Sequence, residues 1–138
     1  MILVEQHQYS KYSKHFKELD NLCFLAKNLY NVTLYHVRQH YFEHKEYLSY
    51  TKINKISNDL FPDDYKALPR KVAQQVQKLV DQNFKSFFNH LKVLKQGERI
   101  NIPQYLHKTD GRQVLTYTNQ AISQNNRNVS KGHIRLSG

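Results

Sequence analysis

Cysteine is almost absent: the 138 residues carry one thiol, Cys23, one methionine and no tryptophan. A lone thiol excludes an internal disulfide and a zinc site made of cysteines alone, and it suits a reducing, cytoplasmic compartment. Long apolar runs are missing too. Nothing approaches the roughly 20 residues a membrane span requires, and Met1-Ile-Leu-Val4 is followed at once by Glu5-Gln6-His7. Secretion and membrane insertion are therefore not expected. Acid is scarce towards the end: from Gly111 onward there is no Asp or Glu, which leaves Arg112, Arg127, Lys131 and Arg135 unbalanced within their own segment. Catalytic patterns are lacking as well. Two-metal phosphodiester cleavage needs carboxylates converging from separate elements. Only Asp59, Asp63 and Asp64 cluster, beside Pro62, where capping or hydrating a turn is the simpler role. Cys23 falls on an apolar stripe, and no strand–turn–helix serine motif occurs. No catalytic residue, resident metal or cofactor is expected in this chain.

What is present is a core and a charge. An apolar content of 39%, with seven Phe and ten Tyr, is enough for one folded domain. Lys and Arg number 21 against 11 Asp and Glu, a formal net charge of +10. That balance covers a small surface with positive potential and predicts a polyanionic partner, although ribosomal proteins and membrane-surface modules share such totals.

Along the chain, Ile2–Tyr9 suits an opening strand, with Ser10 and Ser13 as possible helix caps. Phe16, Leu19, Leu22, Cys23, Ala26, Leu29, Tyr30, Thr33, Val37 and Tyr41 recur at three- and four-residue steps and predict a long helix ending near Glu46. Ile53, Ile56 and Leu60 mark a short second helix, which Phe61-Pro62-Asp63-Asp64 breaks. A third starts at Pro69 and carries Val72, Val76, Leu79, Phe84, Phe87, Phe88, Leu91 and Leu94 on its apolar face. Opposite them, Arg70, Gln74, Lys78 and Asp81 predict a polar, mostly cationic ridge leading towards Lys85.

Past Gly97 the runs 99–102, 113–118 and 133–136 are β-prone, divided by Asp110-Gly111 and Lys131-Gly132 turns. The expected fold class is α+β: a small β-sheet or partial β-barrel with an inserted three-helix bundle. Its parts are a first strand in 1–12, a helical lobe in 13–97 and returning strands in 98–138. The abrupt close on Leu136-Ser137-Gly138 predicts a fragment.

Two stretches resemble the TnpB family, transposon-encoded RNA-guided DNA nucleases related to compact type V CRISPR effectors. Ala26-Lys27-Asn28-Leu29-Tyr30-Asn31 looks like the family's first-helix motif. The second runs from Leu68-Pro69 and Ala73-Gln74-Gln75 through Asp81-Gln82-Asn83-Phe84-Lys85-Ser86-Phe87-Phe88 to Leu91-Lys92, Gly97 and Pro103-Gln104-Tyr105. The order and spacing of these pieces over some eighty residues is more specific than any one of them. Departures are Gln104, where the family has a basic residue, and Glu98 within the basic stretch. The resemblance implies a wedge-type β domain interrupted by a helical recognition lobe. It also implies guide RNA and DNA as partners of a monomeric, nucleoid-associated chain, and reading of a short DNA motif beside the transposon end. The family's RuvC-like nuclease domain and zinc ribbon are absent from this segment. Placing the family's motif-reading positions on this chain gives Tyr50, Arg70, Lys71, Gln74, Thr118 and Asn119.

Each of those six can contact a base or a phosphate, and each can equally be an ordinary surface polar residue. Tyr50 and Tyr117 sit in connections beside polar residues and are candidates for base stacking. Lys78, Lys85, Lys92, Lys95, Arg99, Lys108, Arg112, Arg127, Lys131 and Arg135 are candidates for non-specific backbone contact, with a solvated charge as the alternative for each. His36, His40 and His44 recur every four residues, where two imidazoles can share a metal, but no third ligand can be located; a polar helix edge that charges below about pH 6.5 is preferred. Two rivals remain open: a stand-alone helix-turn-helix regulator, which predicts a dimer and a preference for duplex DNA, and a protein-interaction domain whose charge only aids solubility.

Overall fold

The computed structural model describes residues 2–122 and Leu136. Helix α1 spans Phe16–His44 and buries Ala26, Leu29, Tyr30, Thr33, Leu34 and Val37 along one stripe, the periodicity read from the sequence. It stops where Lys45 turns left-handed at φ 54°, its N–H reaching the Tyr41 carbonyl at 2.9 Å. Helix α2, Tyr50–Leu60, receives no side-chain cap from Ser49. Its first N–H, that of Tyr50, is instead bound at 3.2 Å by the Asp81 carboxylate of a later helix.

Where the sequence predicts only a break, Pro62 opens a one-turn helix α3, Pro62–Lys66, with Asp63 and Asp64 in its first turn, where the helix dipole favours negative charge. Helix α4, Arg70–Lys92, begins one residue after Pro69. It buries Val72, Ala73, Val76, Val80 and Phe84 against α1, and Phe84 also lies 5.6 Å from the Tyr47 ring and 6.0 Å from that of Phe88. The helices share one core, which Phe61, Tyr65 and Leu68 close at the α2–α3 end.

The α+β expectation is overturned. Among the described residues there is no sheet or barrel, only an isolated antiparallel bridge between Ile122 and Leu136. The opening strand does not form: Ile2, Leu3 and Val4 are 92%, 84% and 89% exposed, and no ladder among the described residues pairs with them. Residues 99–118, interrupted by a turn at 108–110, form no strand and serve as a strap along α1. Arg38 donates to the Pro103 carbonyl, Asn31 binds both backbone groups of Leu106 at 3.0 Å, Lys27 donates to the Lys108 carbonyl, and the Cys23 carbonyl accepts from the Gln113 N–H. The strap thus runs antiparallel to the helix. Its backbone groups find side chains where a ladder would have given them strands, while Ile102, Leu106, Leu115 and Tyr117 pack on the helical core. The Asp110-Gly111 turn exists, with the Gly111 N–H on the His107 carbonyl at 3.0 Å, yet it joins no strands. The expected strand at 133–136 lies outside the described residues except for Leu136, as does the Lys131-Gly132 turn.

The cationic ridge needs a second correction. Asp81 is 8% exposed and Gln77 is fully buried, so the polar side of α4 is partly interior. Gln77 donates to the Ser57 hydroxyl at 2.6 Å, and Ser57 in turn donates to the Ile53 carbonyl at 2.6 Å.

Candidate nucleic-acid interface

The first turn of α4 carries no acidic residue and no side-chain cap, because Pro69 precedes it. Its positive helix end is left open to an anion. Lys71, Gln74, Gln75 and Lys78 follow at three- and four-residue steps and so share a face. Opposite them stands a single 3-10 turn, Asn119–Ala121, anchored by the buried Ala121, whose N–H bonds the Thr118 carbonyl at 2.8 Å. Between the two is a cleft of about 370 Å3 lined by Lys71, Gln74, Gln75, Lys78, Thr118 and Asn119. No carboxylate lines it. Lys78 places its ammonium 5.3 Å from the centre of the Tyr50 ring, which extends the site by one aromatic face.

Four of the six motif-reading candidates, Lys71, Gln74, Thr118 and Asn119, therefore meet across one cleft although about forty residues separate the two walls in sequence. Tyr50 adjoins it through Lys78, and its backbone is fixed by Asp81. Arg70 does not join them. It faces a different cavity with Lys55 and Lys66. Gln75 was not singled out as a site residue. Its signal was available in the four-residue spacing from Lys71, which puts both on one side of a helix.

The backbone-contact candidates divide. Lys85 is held at 2.8 Å by Asp81, and Arg112 forks onto Asp20 at 2.9 and 3.2 Å while lying 5.1 Å over the Phe24 ring. Both charges are occupied, and the Arg112 fork, as a hydrogen bond first and a charge second, holds the Asp20 carboxyl below its ordinary range. Lys92, Lys95, Arg99 and Lys108 are exposed. Arg127, Lys131 and Arg135 lie outside the described residues. Both rings proposed for stacking, Tyr50 and Tyr117, are partly buried, and burial raises both hydroxyls, but Tyr117 packs on the hydrophobic core whereas Tyr50 stands beside the Lys78 ammonium.

A cation not singled out from the sequence is buried: Lys27, at 2% exposure, reaches the Lys108 carbonyl and lies 4.0 Å from the centre of the Phe24 ring. Burial, and then the Arg112 charge, lower its affinity for a proton. This is a structural clamp between α1 and the strap. The three histidines of α1 do not converge on a metal either. His36 stacks on Phe61 at 5.2 Å, His40 and His44 lie 4.6 Å apart, and His40 sits 3.6 Å from Glu46. Among the described residues no three His, Cys, Asp or Glu come together as a ligand set, and no helix is long and apolar enough to cross a membrane. No protein-family model, curated protein or solved structure matches the chain.

Proposed function

We propose that this chain is a polynucleotide-binding module that grips nucleic acid across the cleft between α4 and the 118–119 turn. The observation that carries this reading is the convergence of Lys71, Gln74, Gln75, Lys78, Thr118 and Asn119 around one carboxylate-free cleft, in a chain of net charge +10. The chemistry fits a strand. Two ammonium groups and an open helix end suit phosphate, the amides and hydroxyl suit base edges, and Tyr50 offers a ring for stacking.

The motif order that resembles the TnpB family supports a finer version: a guide RNA or its duplex with target DNA is held, and a short transposon-adjacent motif is read by Lys71, Gln74, Thr118 and Asn119. On this reading the chain binds and does not cut. The test is retention of labelled RNA and DNA by the purified chain over a salt series. Affinity falling as a power of salt concentration, with a slope of about −0.9 for each phosphate contacted, supports the proposal. A salt-insensitive interaction, or none at low salt, refutes it.

A further inference from the structure

A second cavity, of about 620 Å3, lies between α2, α3 and the start of α4. Its size falls within the range of sites that hold small organic ligands, roughly 300–1,000 Å3. Three of the side chains lining it are cations, Lys55, Lys66 and Arg70, and none is a carboxylate. Asp63 and Asp64 share the short helix with Lys66 but do not line the cavity. None of the three cations has an ion-pair or side-chain hydrogen-bond partner among the described residues. Like charges gathered around a void repel one another, and an entering anion relieves that repulsion. The uncapped first turn of α4, to which Arg70 belongs, adds to the same positive field.

The remaining lining says what kind of anion fits. Asn54 accepts the Tyr65 hydroxyl at 2.8 Å on its carbonyl oxygen, which leaves its NH2 to donate. Asn58 lies one helical turn further along α2, so two amides stand side by side at the rim. Paired amide donors and acceptors match the edge of a nucleobase. Tyr65 and Leu68, 7% and 3% exposed, supply an apolar floor.

We propose that this cavity is a nucleotide site, in which Lys55, Lys66 and Arg70 bind the phosphate and Asn54 and Asn58 meet the base. The ligand chemistry is a nucleoside monophosphate, either free or as the phosphorylated end of a strand whose body lies in the neighbouring cleft. Only the second source rests on the function proposed above. Arg70 and Lys71 are consecutive on α4 but serve separate sites, so the turn that carries them divides a strand end from the strand body.

The test titrates the full chain with AMP by calorimetry, and with a short oligonucleotide carrying a 5′-phosphate, a 3′-phosphate or hydroxyls at both ends by anisotropy. Charge-assisted contacts of this kind predict about a tenfold loss of AMP affinity in Lys66→Ala and in Arg70→Ala, with Lys17→Ala, an exposed lysine on α1, as the control for charge alone. A preference for one phosphorylated end that disappears in the same variants assigns the strand end as the source. AMP binding without an end preference assigns the free nucleotide. Failure to bind AMP together with no end preference overturns the site, and so does AMP binding that survives Lys66→Ala combined with Arg70→Ala. Both side chains are exposed, and Lys66→Gln with Arg70→Gln serve if an alanine variant melts early. A hydroxyl-ended polynucleotide that fails to bind while AMP binds would sink the polynucleotide reading and leave this site standing; polynucleotide binding with neither AMP binding nor an end preference would sink only this site.

Discussion

Asp81 holds three elements with one carboxylate. It accepts the Tyr47 hydroxyl, the Tyr50 N–H and the Lys85 ammonium, and so ties the α1–α2 connection and the start of α2 to α4. Burial by itself would raise its carboxyl, but Lys85, Tyr47 and the Tyr50 amide together hold it below the ordinary value. Tyr47 is raised, by burial first and by Asp81 second, and so stays a donor. Because the folded carboxyl binds its proton less readily than the unfolded one, its stabilisation is complete above about pH 4 and drains away as pH falls through the folded value. Asp81→Asn should therefore cost about 1.5–3 kcal/mol in urea unfolding at pH 7, and the gap to the parent should narrow as the pH is lowered towards 3. A gap that stays constant over that range would show that the charge is not what stabilises.

At the scale of elements, the helices were legible because burial writes a period into them: Ala26, Leu29, Tyr30, Thr33 and Val37 on α1, and Val72, Val76 and Phe84 on α4. The buried polar residues of α4 were not. Gln77 and Asp81 occupy the interior only because Ser57, Tyr47 and Tyr50 arrive there to bond them, and those partners come from α2 and the connection that leads into it. The β-prone runs misled for a related reason. Alternation fixes an extended backbone but not what bonds it, and here the strap is bonded by α1 side chains. Asn31 is the test of that arrangement, since its amide both donates to and accepts from Leu106. Asn31→Ala should cost about 1–3 kcal/mol in denaturant unfolding by leaving both groups without a partner. It should also speed hydrogen exchange at the Leu106 amide more than at the buried amides of α4. Equal protection of Leu106 in parent and variant would mean that the strap is held otherwise.

The candidate site was half legible on the same grounds. The family resemblance put Lys71, Gln74, Thr118 and Asn119 forward, and folding brings the two pairs to one cleft. The family resemblance grouped Arg70 with them, and it stands one helical turn before Gln74, yet on the folded chain it lines the other cavity with Lys55 and Lys66.

For the molecule as a whole, the surplus of positive charge sets the background attraction to any polyanion, and the account depends on that attraction being concentrated at one cleft. A chain that merely carried +10 over its surface would lose affinity equally wherever two cations were removed. The deciding measurement is the salt dependence of polynucleotide binding for the parent, for Lys71→Ala with Lys78→Ala, and for Lys14→Ala with Lys17→Ala, which removes the same charge from the exposed start of the chain and of α1. The cleft variant should lower the magnitude of the log–log slope by about two and the low-salt affinity by tenfold or more, at roughly one released counterion per contact, while the control pair should stay close to the parent. Equal losses in the two double variants would contradict a cleft on α4 as the place where nucleic acid is held.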